Sequence, residues 1–363
     1  MSWSWTLSRY LAKNFLIGIG VIYAIFLLIA FSIDIVGLLN RVEAKTVSTG
    51  VVIGMGLLQL PDLGLKLLPF AVLLGGVFAF VRLSRSEELV ATRAAGISAW
   101  EFLAPPLIVA LVLGVVTVVA LTPLTSRLLG QYASVEAKYI RGQASQLAVS
   151  KNGLWLRQGD THNQSVIHAM RVSNQGARLE DVIIFLYGAQ DKFAGRIDAK
   201  SAVLETGAWT LNKAWVSGPD GAPQWHENYS LPTKLTTDQI QESFASPDTL
   251  SFWQLPQFIH AARQAGFSAT RYELYFYTLI ALPALFAAMV FMAASFSLRM
   301  ARAGGLLRVI LYGALAGFGV YFFSMVTQAL GESGILPVAL AAAAPASAAI
   351  LIGMTLVFHQ EDG

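Results

Sequence analysis

Long apolar runs dominate the pattern of hydrophobic and polar positions along the chain. Five of them contain no Asp, Glu, Lys or Arg and are 19 to 25 residues long: Phe15–Ile33, Leu103–Leu121, Leu274–Leu298, Val309–Leu330 and Ile335–Phe358. About 20 apolar residues in an α-helix cross the hydrocarbon core of a bilayer. A sixth run, Val51–Phe80, is interrupted only by Asp62 and Lys66. The pattern therefore predicts six transmembrane helices.

The run Val51–Phe80 is longer than one straight crossing requires, because its 30 residues would form a helix of about 45 Å. Pro61 and Pro69 lie within it, and a proline inside a helix removes a hydrogen bond and crowds the preceding turn. We therefore expect an interfacial or broken segment before the membrane span itself.

Residues 124–270, between the third and fourth predicted spans, have a different composition. They hold 13 basic and 12 acidic residues among 147, about 17% charged, and this charge indicates a soluble domain between the nearly charge-free runs. Six short β-like runs are separated by turn residues: Gly153–Gln158, Ser165–Ser173, Arg178–Tyr187, Ala194–Leu204, Trp209–Ser217 and Gln224–Leu231. Regular short strands indicate a sandwich, jelly roll or barrel. A short helix, Leu255–Ala265, is predicted to lead back to the membrane.

These elements divide the chain into three parts: 1–123 with spans one to three, 124–270 with the β domain, and 271–363 with spans four to six. Lys and Arg in the short loops set the orientation of such a protein. Eight lie on the side of the chain termini and two on the other. We therefore expect both termini in the cytoplasm and the β domain on the outer side of the membrane.

Composition narrows the class of protein further. Only 13% of the 363 residues are charged, about half of what soluble domains carry, and the mean hydropathy is +0.58. The net charge of +3 comes from 25 basic and 22 acidic residues, too even a balance for a nucleic-acid-binding surface. There is no cysteine, no metal-ligand spacing among the five histidines and no P-loop motif. We therefore expect no catalytic residue, metal or cofactor in this chain, and no nucleic-acid partner.

The loop after the second span carries a candidate docking element. The spacing Ser84-x-x-Glu87 predicts a capping box, and Gly96 predicts a helix end, so a short cytoplasmic helix is expected over 85–95. It is either an interfacial connector with charges facing water or a helix that inserts into a cytoplasmic partner. In the second case the candidate coupling residues are Arg85, Glu87 and Glu88, with a glutamate paired to a basic residue of the partner.

The few basic residues at the outer side of the membrane also have two interpretations. Lys66 lies four residues after Asp62, so the two can form a self-neutralising pair with the lysine reaching the interface. Alternatively, Lys66 faces a cavity and binds an anionic lipid headgroup, because intramembrane charges are costly and often functional. Arg127, Lys138 and Arg141 follow the third span and are either interface anchors or further headgroup ligands.

The layout and several local motifs resemble the permease subunits of the lipopolysaccharide export ABC transporter, the LptF/LptG family. The resemblance covers nearly the whole chain and implies three membrane spans, an inserted periplasmic β-jelly-roll domain over 124–270, and three further spans. The matching segments lie in the order that the family has: the prolines at 61 and 69, Ser86–Val90 with Ala95-Gly96, Asn152–Trp155, Pro247–Ser251 and Arg271–Leu274. Among these, Ser86–Val90 resembles the family's coupling helix, with Glu88 at its acidic position.

The resemblance implies an ATP-driven transporter that extracts lipopolysaccharide from the outer leaflet of a Gram-negative inner membrane and passes it to a periplasmic bridge. It implies an LptF-like paralogous permease, an LptB-like ATPase dimer that binds the ATP, an LptC-like single-span protein and an LptA-like bridge as partners. The chain departs from the family near the outer end of the first span, where a lysine is often found and this chain has Phe31-Ser32-Ile33-Asp34. Gly130 and Ala133 also stand where arginines are expected, so the headgroup contacts are predicted to be redistributed.

Two alternatives from other classes stay open at this stage. The first alternative to a lipopolysaccharide permease is a membrane-anchored scaffold whose jelly roll binds a periplasmic partner. The second is a permease for another envelope lipid or lipoprotein. Basic residues at the rim of a cavity suit any anionic amphiphile, so the residues themselves do not separate these cargoes.

Overall fold

The computed structural model describes residues 5–42, 48–88, 92, 94, 96–136, 139, 146–150, 153–159, 164–173, 177–188, 192–219, 221–233, 246–264, 268–300 and 306–361. The chain forms two compact units. The first contains Met1–Ala133 and Leu274–Gly363, and the second contains Ser134–Glu273.

Helices make up the first unit. They are α1 (Trp5–Val42), α2 (Thr49–Arg85), α3 (Ala99–Val116), α4 (Thr122–Glu136), α6 (Thr270–Met300), α7 (Leu306–Glu332) and α8 (Val338–Glu361), while α5 (Leu255–Gln264) belongs to the second unit. A π-helical turn, Thr117–Leu121, joins α3 to α4 without a break. Six helical stretches in the described part of the chain are long and apolar enough to cross a membrane, which confirms the predicted six spans.

Helix α2 differs from the sequence prediction. It is one continuous helix of 37 residues through Pro61 and Pro69, so the expected broken start is wrong. Membrane helices tolerate proline because neighbouring helices and local adjustments satisfy the freed backbone groups. Its length of about 55 Å exceeds the hydrocarbon thickness of about 30 Å, so α2 must tilt or extend beyond the apolar layer.

Helices α1 and α2 approach each other at the level of their backbones. A Cβ atom added at Gly75 would lie 2.6 Å from the Cα of Ile19, and one added at Gly18 would lie 2.5 Å from the carbonyl oxygen of Gly75. Small residues permit such close packing in a membrane, where apolar burial drives association little. The α1–α2 pair therefore depends on glycine at this crossing.

The third span continues well beyond the end of its apolar run. Pro123 has no N–H to donate and crowds the preceding turn, which accounts for the widened π-helical turn just before it. The hydroxyls of Thr117 and Thr122 donate to the carbonyls of Leu113 and Val118, at 2.7 and 2.6 Å. The sequence places the start of the β domain at 124, whereas the helix continues to Glu136 and the compact β unit begins at Ser134.

Among the described residues, the second unit contains a seven-stranded antiparallel sheet with the strands in sequential order. They are β1 (Gln146–Ser150), β2 (Gly153–Gly159), β3 (Gln164–Ser173), β4 (Arg178–Tyr187), β5 (Phe193–Glu205), β6 (Ala208–Ser217) and β7 (Gln224–Pro232). Each of the six predicted strands is confirmed to within one residue at either end. The sequence did not predict β1. Six membrane helices with this jelly-roll-like insert confirm the predicted fold class.

The core of the sheet is centred on Trp209, which is fully buried. Its Nε1–H donates to Oε1 of Gln158 at 3.2 Å, and that oxygen also accepts from the hydroxyl of Thr233 at 2.8 Å. A buried tryptophan combines a large apolar area with one hydrogen bond that must be satisfied. Helix α5 covers part of this core with the buried side chain of Ala262.

The predicted helix over Leu255–Ala265 is confirmed up to Gln264, while Ala265 lies outside the described residues. Nη2 of Arg263, at the end of α5, lies 2.7 Å from Oε1 of Glu273 in the first turn of α6. The rings of Phe258 and Tyr272 lie 4.5 Å apart between the same two helices. These contacts join α5 to the first turn of α6 within the second unit.

Candidate coupling segment and intramembrane charges

Residues 86–98, here called the connecting segment, join α2 to α3 where the sequence predicts a docking helix. Glu88, Thr92 and Ala94 are helical, and the hydroxyl of Thr92 donates to the carbonyl of Glu88 at 2.6 Å. Residues 89–91, 93 and 95 lie outside the described residues. The described residues 88, 92 and 94, here called the helical turn, therefore have the helical conformation that the sequence predicts for 85–95.

Gly96 ends this helical turn, as predicted. Its φ is +80°, a conformation that glycine adopts without a Cβ penalty. The N–H of Ile97 donates to the carbonyl of Thr92 at 3.3 Å, which is the outer hydrogen bond of a Schellman motif. The end of the helix is thus closed by its own backbone.

The predicted capping box at Ser84 is wrong, because α2 continues through Ser84 and ends at Arg85. Leu83 is buried, so packing of the last turn extends α2 past this local signal. The link to the next turn is made by Ser86 instead, whose hydroxyl donates to Oε1 of Glu88 at 2.9 Å. Between them, Glu87 has a φ of +59° and reverses the chain direction.

The structure therefore separates the three candidate coupling residues. Arg85 is the last residue of α2, Glu87 is exposed in the turn, and Glu88 is half-buried where the helical turn begins. Only Glu88 of the three combines a position on the helical turn with a fixed carboxylate. It is the best placed of the three to receive a basic group from a partner.

A capping box does exist in this region, at the start of α3. The N–H of Glu101 donates to the hydroxyl of Ser98 at 3.2 Å, and the N–H of Ser98 donates to Oε2 of Glu101 at 3.3 Å. The spacing Ser98-x-x-Glu101 was a readable signal that the sequence interpretation missed. Because Gly96, Ile97 and Ser98 are the whole joint and both helix ends are capped, little slack remains between the helical turn and α3.

The intramembrane charges of α2 form the expected pair. Nζ of Lys66 lies 2.6 Å from Oδ2 of Asp62, and the Asp62 side chain is buried while 61% of the Lys66 side chain is exposed. The lysine thus neutralises a buried carboxylate and still presents its amine outward. Both interpretations of Lys66 are compatible with this geometry, since an amine has three donors.

The other candidate headgroup ligands are only partly described. Arg127 is exposed on α4, one turn after Pro123. Lys138 and Arg141 lie outside the described residues, so their predicted role stays a prediction. Within the residues that the structure describes, no group of three or more His, Asp or Glu side chains could hold a metal ion.

The fold and these features define a multi-pass membrane protein with a β domain inserted between its third and fourth spans. The sequence profile of the family described as "Lipopolysaccharide export system permease LptF/LptG" matches residues 9–358. The chain therefore belongs to the LptF/LptG family of lipopolysaccharide export permeases.

Two relatives are named lipopolysaccharide export system permease protein LptG. The protein of Haemophilus influenzae is 27% identical over 355 residues, which cover 91% of each chain. The protein of Escherichia coli K12 is 22% identical over 366 residues, which cover 98% of each chain. The similarity thus extends over both the membrane helices and the β insert.

Proposed function

We propose that this chain is a non-catalytic permease subunit of an ATP-driven transporter that extracts lipopolysaccharide from the outer leaflet of a bacterial inner membrane. Both termini and the connecting segment lie in the cytoplasm, and the β unit lies in the periplasm. The full-length family match supports the class of protein. The mechanism rests on one observation: in the connecting segment, only the short joint of Gly96, Ile97 and Ser98 separates the helical turn from α3.

Coupling to ATP hydrolysis takes place at this segment. An LptB-like ATPase dimer binds the nucleotide, and its closure displaces the helical turn that contains Glu88. A capped helix transmits a push better than a loop, because its backbone groups are already bonded and do not rearrange. The Glu88 carboxylate, half-buried and hydrogen-bonded to Ser86, pairs with a basic side chain of the ATPase.

The membrane surfaces of the chain suit a shared cavity for lipid. Helix α7 presents large apolar side chains that the single chain leaves exposed, among them Phe318, Tyr321 and Phe322. Helix α1 presents a similar apolar face, which includes Leu28 and Ile33. An LptF-like paralogue and the acyl chains of the lipid cover these faces, and the exposed amine of Lys66 and the guanidinium of Arg127 contact headgroup phosphates.

The released lipid passes from the cavity to the periplasmic side. An LptC-like single-span protein and an LptA-like bridge receive it there, so that the complex supplies the outer membrane. No cofactor is bound by this chain, since the ATP belongs to the partner subunit.

Removing the charge of Glu88 is expected to weaken association with the ATPase. In Glu88→Gln the hydrogen bond from Ser86 is kept, so the loss reports the charge pair, which at a protein interface is worth a factor of ten or more in affinity. The measurement is titration of the solubilised permease pair with the ATPase. The matched Glu87→Gln variant should bind within twofold of the wild type, and equal losses in both variants would remove the specific role of Glu88.

Replacing Lys66 separates its two interpretations. Lys66→Ala takes the cation from a buried carboxylate and is expected to cost about 1–3 kcal/mol of stability, less than for a fully buried pair because 61% of the lysine side chain is exposed. In an Asp62→Asn background the same change should cost little further stability. If the amine binds headgroups, the Asp62→Asn/Lys66→Ala variant should release lipid at least fivefold more slowly than the wild type. Full release by that variant would assign Lys66 to pairing alone.

A further inference from the structure

The first turn of α3 places an aromatic side chain between the connecting segment and two other membrane helices. Trp100 lies two residues after the cap residue Ser98. Its ring centroid is 4.6 Å from that of Phe358, near the end of α8, and 6.1 Å from that of Phe291 in α6. Trp100 is thus the link from the capped start of α3 to both helices.

Helices α6 and α8 are fixed to each other at the same level. A Cβ atom added at Gly353 of α8 would lie 2.6 Å from Cβ of Phe291 and 3.2 Å from the backbone nitrogen of Met292. The hydroxyl of Ser295 in α6 also donates to the carbonyl of Gly353 at 3.2 Å. The side chain of Trp100 therefore meets both helices near the place where they contact each other.

A second contact between α3 and α6 lies further along both helices. A Cβ atom added at Gly114 would lie 2.5 Å from Cα of Pro283, so the two backbones touch there. Gly114 is 14 residues from Trp100, which corresponds to about 21 Å along a helix. Close contact at Gly114 limits sliding of α3 on α6 at that point and lets it act as a pivot.

We propose that Trp100 is the positioning residue that passes the displacement of the connecting segment to the α6–α8 pair. The inference rests on the proposed function, in which the ATPase moves this segment. The joint of Gly96, Ile97 and Ser98 delivers the movement to the first turn of α3, and Trp100 delivers it sideways through Phe291 and Phe358. Trp100 contributes neither to ATPase binding nor to headgroup binding.

The test uses the complete complex in proteoliposomes and compares Trp100→Ala, Trp100→Phe and the control Trp5→Ala, a tryptophan exposed at the start of α1. Trp100→Ala should keep ATPase association and hydrolysis within about threefold of the wild type, while lipid released per ATP falls at least fivefold. Trp100→Phe should retain more than half of the wild-type lipid release per ATP, and Trp5→Ala should equal the wild type.

A distance measurement separates transmission from a loss of structure. Because this chain has no cysteine, the substitutions Ala94→Cys and His359→Cys allow it to be spin-labelled at these two positions alone before the complex is assembled. ATP should change the distance between the labels in the wild type, and the change should vanish in Trp100→Ala. If Trp100→Ala does not fold, Phe358→Ala removes the same contact from its exposed side and must lower lipid per ATP to the same extent.

Two results would overturn the inference. The first is wild-type lipid release per ATP in Trp100→Ala or, if that variant does not fold, in Phe358→Ala. The second is an ATP-driven change in the distance between the labels that persists in the same variant. Failure of the proposed function gives a different result, because the unmodified chain would then not associate with the ATPase. If the wild-type complex couples ATP hydrolysis to lipid release and the Trp100→Ala variant does so equally well, only the role of Trp100 is contradicted and the proposed function stands.

Discussion

Gly75→Val is expected to separate α1 from α2 and to destabilise the membrane unit by more than about 3 kcal/mol. The added Cβ would lie 2.6 Å from the Cα and backbone nitrogen of Ile19, and backbone atoms cannot move aside as a side chain does. The two helices must therefore part along their crossing. The measurement is thermal unfolding of the detergent-solubilised protein, with the yield of monodisperse protein as a second readout.

The matched control for this change is Gly20→Val on α1. A Cβ at Gly20 meets nothing within 4 Å, so the same substitution is made on a helix of the same pair without a clash. Its unfolding temperature should stay close to that of the wild type. Equal unfolding temperatures for both variants would show that the α1–α2 crossing does not depend on close backbone contact.

Trp209→Ala is expected to unfold the β unit, at a cost of about 3–5 kcal/mol. The change removes the largest fully buried side chain of the sheet and the donor to Gln158. The neighbouring core residues come from separate strands and cannot close the cavity without moving the sheet. Limited proteolysis of the full chain measures this, since cleavage within 153–232 should become rapid while the membrane helices stay protected.

Trp215→Ala on the same strand is the control. Trp215 is about half exposed and its ring lies 5.1 Å from that of Trp225, so its loss removes a surface contact and no core volume. The free energy of opening inferred from the cleavage rate of this variant should lie within about 1 kcal/mol of the wild-type value. Faster cleavage of Trp215→Ala than of Trp209→Ala would contradict the assignment of the core.

Much of the fold follows from residue patterns alone because two strong signals operate over long segments. Charge-free apolar runs of 19 or more residues strongly favour a membrane helix, and alternation with turn residues marks the strands. β1 was missed because it is only five residues long, and Leu147 and Val149 are its only large apolar residues. Such a short segment acquires its strand conformation from pairing with β2.

Local helix signals were less reliable than the long patterns. The same Ser-x-x-Glu spacing occurs at Ser84 and at Ser98, yet only Ser98 caps a helix. Packing of Leu83 carries α2 past the first signal. In the same way, Pro61 and Pro69 do not break α2, because the surrounding helices compensate for the lost hydrogen bonds.

Contacts between membrane helices could not be predicted from the sequence. An apolar run with no polar face gives no helical periodicity, so it does not indicate which side meets a neighbour. The pairings of Gly75 with Ile19, Gly114 with Pro283, and Trp100 with Phe358 therefore required the structure. The pair of Asp62 and Lys66 could be predicted because it lies within one helix, with the two charges four residues apart.

The most direct test of the permease assignment is ATP-dependent release of lipopolysaccharide from proteoliposomes. The vesicles contain this chain with an LptF-like permease, an LptB-like ATPase and an LptC-like protein, and a soluble LptA-like protein is the acceptor. The account predicts transfer to the acceptor that requires ATP and stops when this chain is omitted. Transfer that proceeds without this chain, or ATP-driven release of another envelope lipid or lipoprotein in place of lipopolysaccharide, would contradict it.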